Sequence, residues 1–425
     1  MMRPDLVIRD ARCLGRAVDL LVAAGRVLEL AEHTPGRDFG GARVVNAGGK
    51  ILLPALIDAH AHLREPGFEY KEDIASGLGA AAHGGFGRIM CMANTKPVND
   101  HAPVTEMMLD KARLAWPDGP FLHPIGALTK ELKGQELAPM AELAQAGCVA
   151  FSNDGLPVAD SERFRRAMEY AASVGRPVID HCEDPHMAPG AGINEGVVSS
   201  RLGLRGQPDV AEAAQVARDI LLAEYLDIPI HLAHVSCIRS LELIRAAKAR
   251  GAKITAETCP HYLLLTEEAV DGYRTEAKVN PPLRPRADVE AMRLAVADGT
   301  IDILATDHAP HAAHEKDVEF DLAPCGISGL DAALPLTWAL VRQGVMDEAA
   351  FRRLWHERPA AIFGLPVNRF EPGDPADFIL LDPEARWTLT PQAMRSKGKN
   401  TPFLGQEMQG RCALLVMAGR VVAGG

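Results

Sequence analysis

The chain has 425 residues, of which 47% are hydrophobic, 24% charged and only 5% aromatic, and its formal net charge is −11. This acidic balance argues against a nucleic-acid partner and describes a globular protein with an aliphatic core. The opening "MMRPDLVIRD" has no apolar signal core, no apolar stretch is long enough for a bilayer, and the eight cysteines form no CxxC pair; the expectation is a cytoplasmic protein with reduced thiols and no membrane partner.

The first segments, "DLVIRDARCL" (5–14) and "DLLVAAGRVLEL" (19–30), read as short strands, the second as a hairpin turning at Ala-Gly-Arg. The last segments, "ADFILLDP" (376–383) and "ALLVMAGRVVAGG" (413–425), repeat the pattern. The expectation is a small β-sandwich domain built from both termini, residues 1–50 and 366–425; the alternative is two unrelated hairpins, since AGRV is a short match.

Between them the rhythm changes. Eight aliphatic runs follow in order: "LPALIDAHAH", "RIMCMANT", "FLHPIGALT", "GCVAFSND", "RPVIDHCED", "IPIHLAHVS", "KITAETCPHY" and "IDILATDHAPH". Helix-compatible stretches such as "EDIASGLGAAAHGG", "SERFRRAMEYAASVG", "SLELIRAAKARG" and "ADVEAMRLAVADG" lie between them, several ending in Gly as a helix C-terminus prefers. Repeated strand-then-helix units with continuous apolar strands predict an α/β protein whose residues 51–365 form a (β/α)8 TIM-like barrel. His, Asp and Asn gather at the C-terminal ends of the runs, where barrels carry their active sites.

Those ends supply His60 and His62 from the first run, Asp154 from the fourth, His181 from the fifth, His234 from the sixth and Asp307 from the eighth. Strand side chains alternate faces, so His60 and His62 are expected to project the same way. Each residue has an ordinary reading. Asp154 in "SNDG" is a turn residue, His181 a core imidazole, His234 the start of a loop, Asp307 a cap. Four imidazoles and two carboxylates at the ends of five strands instead suit Zn²⁺ or a similar divalent ion.

The motifs "DAHAHLREPGFEYKEDIASG", "MANT", "DHCED", "HVS", "VNPPLR" and "ATDHAPH", running through most of the chain, resemble the dihydroorotases of the amidohydrolase superfamily, in particular the class I bacterial type. The resemblance implies a zinc-dependent cyclic amide hydrolase. It would interconvert (S)-dihydroorotate and N-carbamoyl-L-aspartate, working in ring closure during de novo pyrimidine (UMP) biosynthesis. By the same resemblance His60, His62 and Asp307 hold one zinc, His181 and His234 a second where present, and Asp154 bridges the two. Asp307 also serves as catalytic base and acid. Arg64, Asn94 and His311 match the family's contacts to the substrate carboxylate, and Asn280 a contact to its ring amide. Arg64 shares a face with His62 if the strand continues that far. The residue before Asp154 is often Asp in that group but is Asn153 here, which puts the second metal in question. The resemblance also implies a homo-oligomer and admits association with aspartate transcarbamoylase.

Two rivals remain. Hydantoinases, dihydropyrimidinases and allantoinases typically carry a bridging lysine at the fourth strand, where "GCVAFSNDG" has none. A non-catalytic subunit that scaffolds the transcarbamoylase would have lost metal-ligand residues, and this chain retains them. Residues 311–329, a polar connection after the last run, are expected to act as a lid in which His314, Glu315 and Lys316 are solvated or beside the substrate.

Overall fold

The computed structural model describes residues 3–424; Met1, Met2 and Gly425, at the outer ends of the spans expected to form the terminal β-domain, lie outside the described residues. Strands from both termini form one mixed sheet: β1 (Leu6–Cys13), β2 (Arg16–Ala23), β3 (Arg26–Glu32), β4 (Arg43–Asn46) and β5 (Ile51–Pro54) join three late strands that cover 378–388, 407–417 and 420–424. The strands expected to make a sandwich are thus hydrogen-bonded in one sheet around a shared core of Leu6, Ile8, Leu20, Leu52, Phe378 and Val416. The sheet's other face presents Ile51, Leu53, Ile379 and Leu415 to the barrel's outer core, so one apolar mass joins the two units. β5 lies in the sequence span expected to open the barrel but pairs within this sheet, with Leu53 opposite Ile379.

Both "AGRV" hairpins form. Their turns place Ala24 and Gly25 at φ 50° and 75°, and Ala418 and Gly419 at φ 47° and 76°, the paired positive φ values that match the twist of two-residue hairpins.

The barrel comprises β6 (Leu56–Ala61), β7 (Phe86–Cys91), β8 (Phe121–Ala127), β9 (Ala150–Ser152), β10 (Val178–Asp180), β11 (Ile230–Leu232), β12 (Ile254–Thr258) and β13 (Ile303–Leu304). The strands are parallel in sequence order, and a bridge between Ala61 and His308, with His62 N donating to His308 O at 2.8 Å, closes the ring. Ile57, Met90, Ile125, Ile179 and Ile303 fill the interior together with Phe363. The expected helices surround it. Ile74–Gly84 begins with Asp73 and Ser76 in a reciprocal cap and ends at Gly85 in the left-handed region, φ 85°. Ser161–Ser173, Ile238–Ala249 and Arg286–Asp298 complete the four stretches named from sequence.

The chain then returns to the terminal sheet through β14 (Phe378–Thr388), β15 (Glu407–Met417) and β16 (Arg420–Gly424). The connection between β14 and β15 runs to the mouth of the barrel, where Asn400 is buried against the loop after β13.

Candidate functional site

Strict alternation does not place His60 and His62. The ladder between β6 and β7 shifts register between Asp58 and Ala61, and His62 lies beyond the strand's end. The buried Asp58 carboxylate accepts from Thr306 N at 2.9 Å and from His60 N at 3.3 Å, tying β6 to the segment after β13. Both histidines nevertheless turn inwards: Asp307 Oδ1 is 3.2 Å from His62 Nε2 and 3.5 Å from His60 Nε2.

Asp154 stands at the centre. Its Oδ1 is 3.4 Å from His60 Nε2, His181 Nδ1 and His234 Nε2, and its Oδ2 is 3.4 Å from His62 Nε2. All six of these residues are buried. Two ligand atoms about 2.0–2.1 Å from a tetrahedral zinc ion stand roughly 3.4 Å apart. The spacing therefore fits a shared cation. His60, His62 and Asp307 form one group of ligand-type atoms within 4.8 Å of each other, and His60, Asp154 and His234 form another.

The outer nitrogens of the rings fix which nitrogen faces inwards. His60 Nδ1 donates to Glu257 Oε1 at 2.6 Å, His62 Nδ1 to Asn94 Oδ1 at 2.8 Å and His181 Nε2 to Glu183 Oε2 at 2.9 Å. A carboxylate or amide oxygen only accepts, so each of these three rings keeps its lone pair for the centre. His60 Nε2 and His181 Nδ1, both buried, have no hydrogen-bond partner among the described residues. Burial disfavours charge on Asp154, but the neighbouring His60, His181 and His234 rings hold its carboxyl well below the ordinary range. For the His60 ring, burial is likewise outweighed, by Asp154 and Glu257, so its proton affinity rises well above the usual value. Such a field favours a cation among these groups.

A cavity of about 280 Å³ opens above them, bounded by Asp154, His181, Asp307, Arg64, Asn94 and Asn280 among others. A larger recess of about 1000 Å³ lies at the hairpin turns, by Asp5, Arg26, Arg43 and Arg420, away from the imidazole cluster. Arg64 lies on the cavity wall for a reason other than strand alternation: its φ is 63°, so the strand does not continue through it. Its guanidinium Nε donates to Pro310 O at 3.1 Å, and Nη2 is 3.3 Å from His311 Nε2. His311 stands one layer back, its Nε2 donating to Cys325 O at 2.9 Å. Burial and then the charges of Arg64 and Lys71 push its imidazole down to about 2, so the ring is neutral. Asn280 Nδ2 donates to Glu183 Oε2 at 2.6 Å while its Oδ1 accepts from Gln207 Nε2 at 3.1 Å.

Asn153, the departure noted in the sequence, turns away from the histidines. Its Oδ1 accepts from Leu128 N and Thr129 N, both at 3.1 Å, and its Nδ2 donates to Thr129 Oγ1 at 2.7 Å. It ties the loop after β8 to the loop after β9. Lys316, expected to be solvated or beside the substrate, is buried and donates from Nζ to Thr275 O at 2.9 Å and Pro324 O at 2.7 Å, which pins the 311–329 connection to the barrel. Sequence reasoning missed Glu257 and Glu183. Glu257 alone carried a signal, a charge inside an apolar run that belongs to a buried strand.

The family model described as "Dihydro-orotase-like" matches residues 49–240. A dihydroorotase of Syntrophotalea carbinolica is 48% identical, over 98% of this chain and 96% of its own length. One from Geotalea daltonii is 47% identical, over 98% of this chain and 97% of its own. Among solved structures, an L-hydantoinase (dihydropyrimidinase) from Arthrobacter aurescens superposes with a TM-score of 0.89 over 99% of this chain and 96% of its own, at 23% identity; that likeness concerns the fold.

Proposed function

The chain belongs to the dihydroorotase family, and from that membership we propose that the mouth of its barrel binds one or two Zn²⁺ ions and interconverts (S)-dihydroorotate and N-carbamoyl-L-aspartate in pyrimidine biosynthesis. The observation that carries the reading is the convergence of four imidazoles on Asp154, with Asp307 beside them, under a cavity walled by Arg64. In this reading His60, His62 and Asp307 would hold one ion and His181 and His234 the other, with Asp154 within reach of both sets. The ions supply, when bound, Lewis acidity towards water and towards the amide carbonyl.

The protein's own groups do the rest. Glu257, Asn94 and Glu183 hold three imidazoles in the tautomer and orientation that leave a nitrogen free for the centre. The Asp307 carboxylate takes the proton from the attacking water and returns it to the departing ring nitrogen, and the same exchange run backwards closes the ring. Arg64 presents its planar guanidinium to the substrate carboxylate, and Asn94 lies at the same wall. Asn280 is placed for the ring amide, oriented by Gln207 and Glu183. No member of the expected ligand set is missing, which favours an enzyme over a non-catalytic scaffold. The same reading makes the chain a cytoplasmic homo-oligomer open to association with aspartate transcarbamoylase; eight free cysteines fit a reducing compartment.

The test is turnover by the metal-replete protein of dihydroorotate, hydantoin, allantoin and dihydrouracil, alone and with aspartate transcarbamoylase added. Dihydroorotate is expected to be hydrolysed far faster than the others. Absence of its hydrolysis under both conditions would overturn the assignment.

A further inference from the structure

The connection between β14 and β15 belongs by sequence to the terminal sheet, yet it reaches the loops that hold Arg64. Asn400 there is 5% exposed, and its side chain is fully engaged. Its Oδ1 accepts from His311 N and from Ser328 Oγ, each at 2.8 Å, while its Nδ2 donates to Ala309 O at 3.0 Å and Gly326 O at 2.9 Å. Its main-chain carbonyl accepts from Ser328 N at 2.8 Å. One amide thus clamps two loops, 309–311 and 326–328, and both contribute to the wall of the cavity through Ala309 and Gly326.

The first of these loops also carries the groups that hold Arg64: Pro310 O accepts from its Nε at 3.1 Å, and His311 lies against its Nη2. The strap is seated closely. A Cβ on Gly398 would stand 2.5 Å from Pro310 Cβ and 2.9 Å from His311 N. Upstream, Ser396 Oγ bonds to the buried Glu72, and Lys397 pairs with Asp73, in the segment that follows Arg64. Residues 396–400 therefore grip Arg64 from both sides, through the chain that follows it and through the loop that accepts its hydrogen bond.

We propose that Asn400 is a positioning residue: by fixing Pro310 and His311 it sets the orientation of the Arg64 guanidinium, and so the affinity for the substrate's carboxylate. The proposal rests on the reading of Arg64 as the carboxylate contact. A guanidinium binds a carboxylate through two parallel bonds, and a small tilt loses one of them. Asn400 touches neither the imidazole cluster nor Asp307, so the proton-transfer chemistry is spared.

The experiment measures kcat and KM for dihydroorotate in Asn400→Ala and the milder Asn400→Ser, each alone and combined with Arg64→Ala, with bound metal and Tm recorded for every variant. The KM of the single Asn400 variants is expected to rise about tenfold or more, with kcat within about threefold and metal content unchanged. In the Arg64→Ala background the same substitutions are expected to change KM by less than about threefold, because the group they orient is gone. A raised KM for Arg64→Ala beside an unchanged KM for the Asn400 variants would overturn the proposal alone, as would a full Asn400 effect in the Arg64→Ala background. An unchanged KM for Arg64→Ala would overturn the carboxylate reading and the proposal with it.

Discussion

Asp307 meets the imidazole cluster through one oxygen, Oδ1, and does so from a backbone with φ of 45°, in the left-handed region that side-chain-bearing residues seldom enter. His234 and Arg64 share that trait, with φ of 30° and 63°. All three line one cavity, and each such backbone costs on the order of 1–3 kcal/mol. Asp307→Asn keeps the shape and removes the base; kcat is expected to fall about 10²–10⁴-fold while circular dichroism and Tm stay near wild type. Retention of most of the turnover would remove Asp307 from proton transfer. The histidines and Asp307 were legible in the sequence because strand ends in a barrel share one mouth. Glu257 and Glu183 were harder to read, since their work depends on which imidazole lies across the barrel. Arg64 was expected at the mouth by alternation; the structure puts it on the cavity wall by a break in the strand, held by Pro310.

At the level of elements, the two AGRV hairpins show how much a short pattern can say. It specifies a two-residue turn with positive φ at both centres, which both hairpins form. It does not say that the two turns touch. A Cβ on Gly25 would lie 2.7 Å from Ala418 O, so the first hairpin is packed against the last. Gly36, with φ of 78°, has nothing within 4 Å of an added Cβ and serves as the control. Gly36→Ala is expected to cost about 1 kcal/mol in unfolding free energy from its backbone alone, and Gly25→Ala clearly more, with a larger fall in Tm. Equal losses would mean that the contact between the termini contributes little. The barrel strands were also legible as eight runs in order, though β9 has only three residues and β13 two. The remainder of those runs leaves the ladder to deliver side chains to the mouth, as at Asn153 and Asp154, where the Asn153 side-chain oxygen accepts from Leu128 N and Thr129 N beyond the last strand residue. A pattern of apolar residues marks where a strand starts better than where it yields to its active-site loop.

Over the whole molecule, the terminal sheet is more than a cap. It shares the barrel's apolar core through Ile51, Ile379 and Leu415, and through the β14–β15 connection it sends Asn400 to the loops around Arg64. Neither link was visible in the sequence, because both join segments more than 300 or nearly 90 residues apart through ordinary Ile, Leu and Asn side chains. The central proposal concerns the mouth itself: that its six buried ligand-type residues hold metal, and that the cyclic amidase activity depends on it. The direct measurement strips the purified protein with a chelator, then follows dihydroorotate hydrolysis and bound zinc as the ion is added back. Activity is expected to vanish on stripping and to return in proportion to zinc, saturating at about one to two ions per chain. Undiminished hydrolysis by protein holding less than about a tenth of an ion per chain would contradict the account.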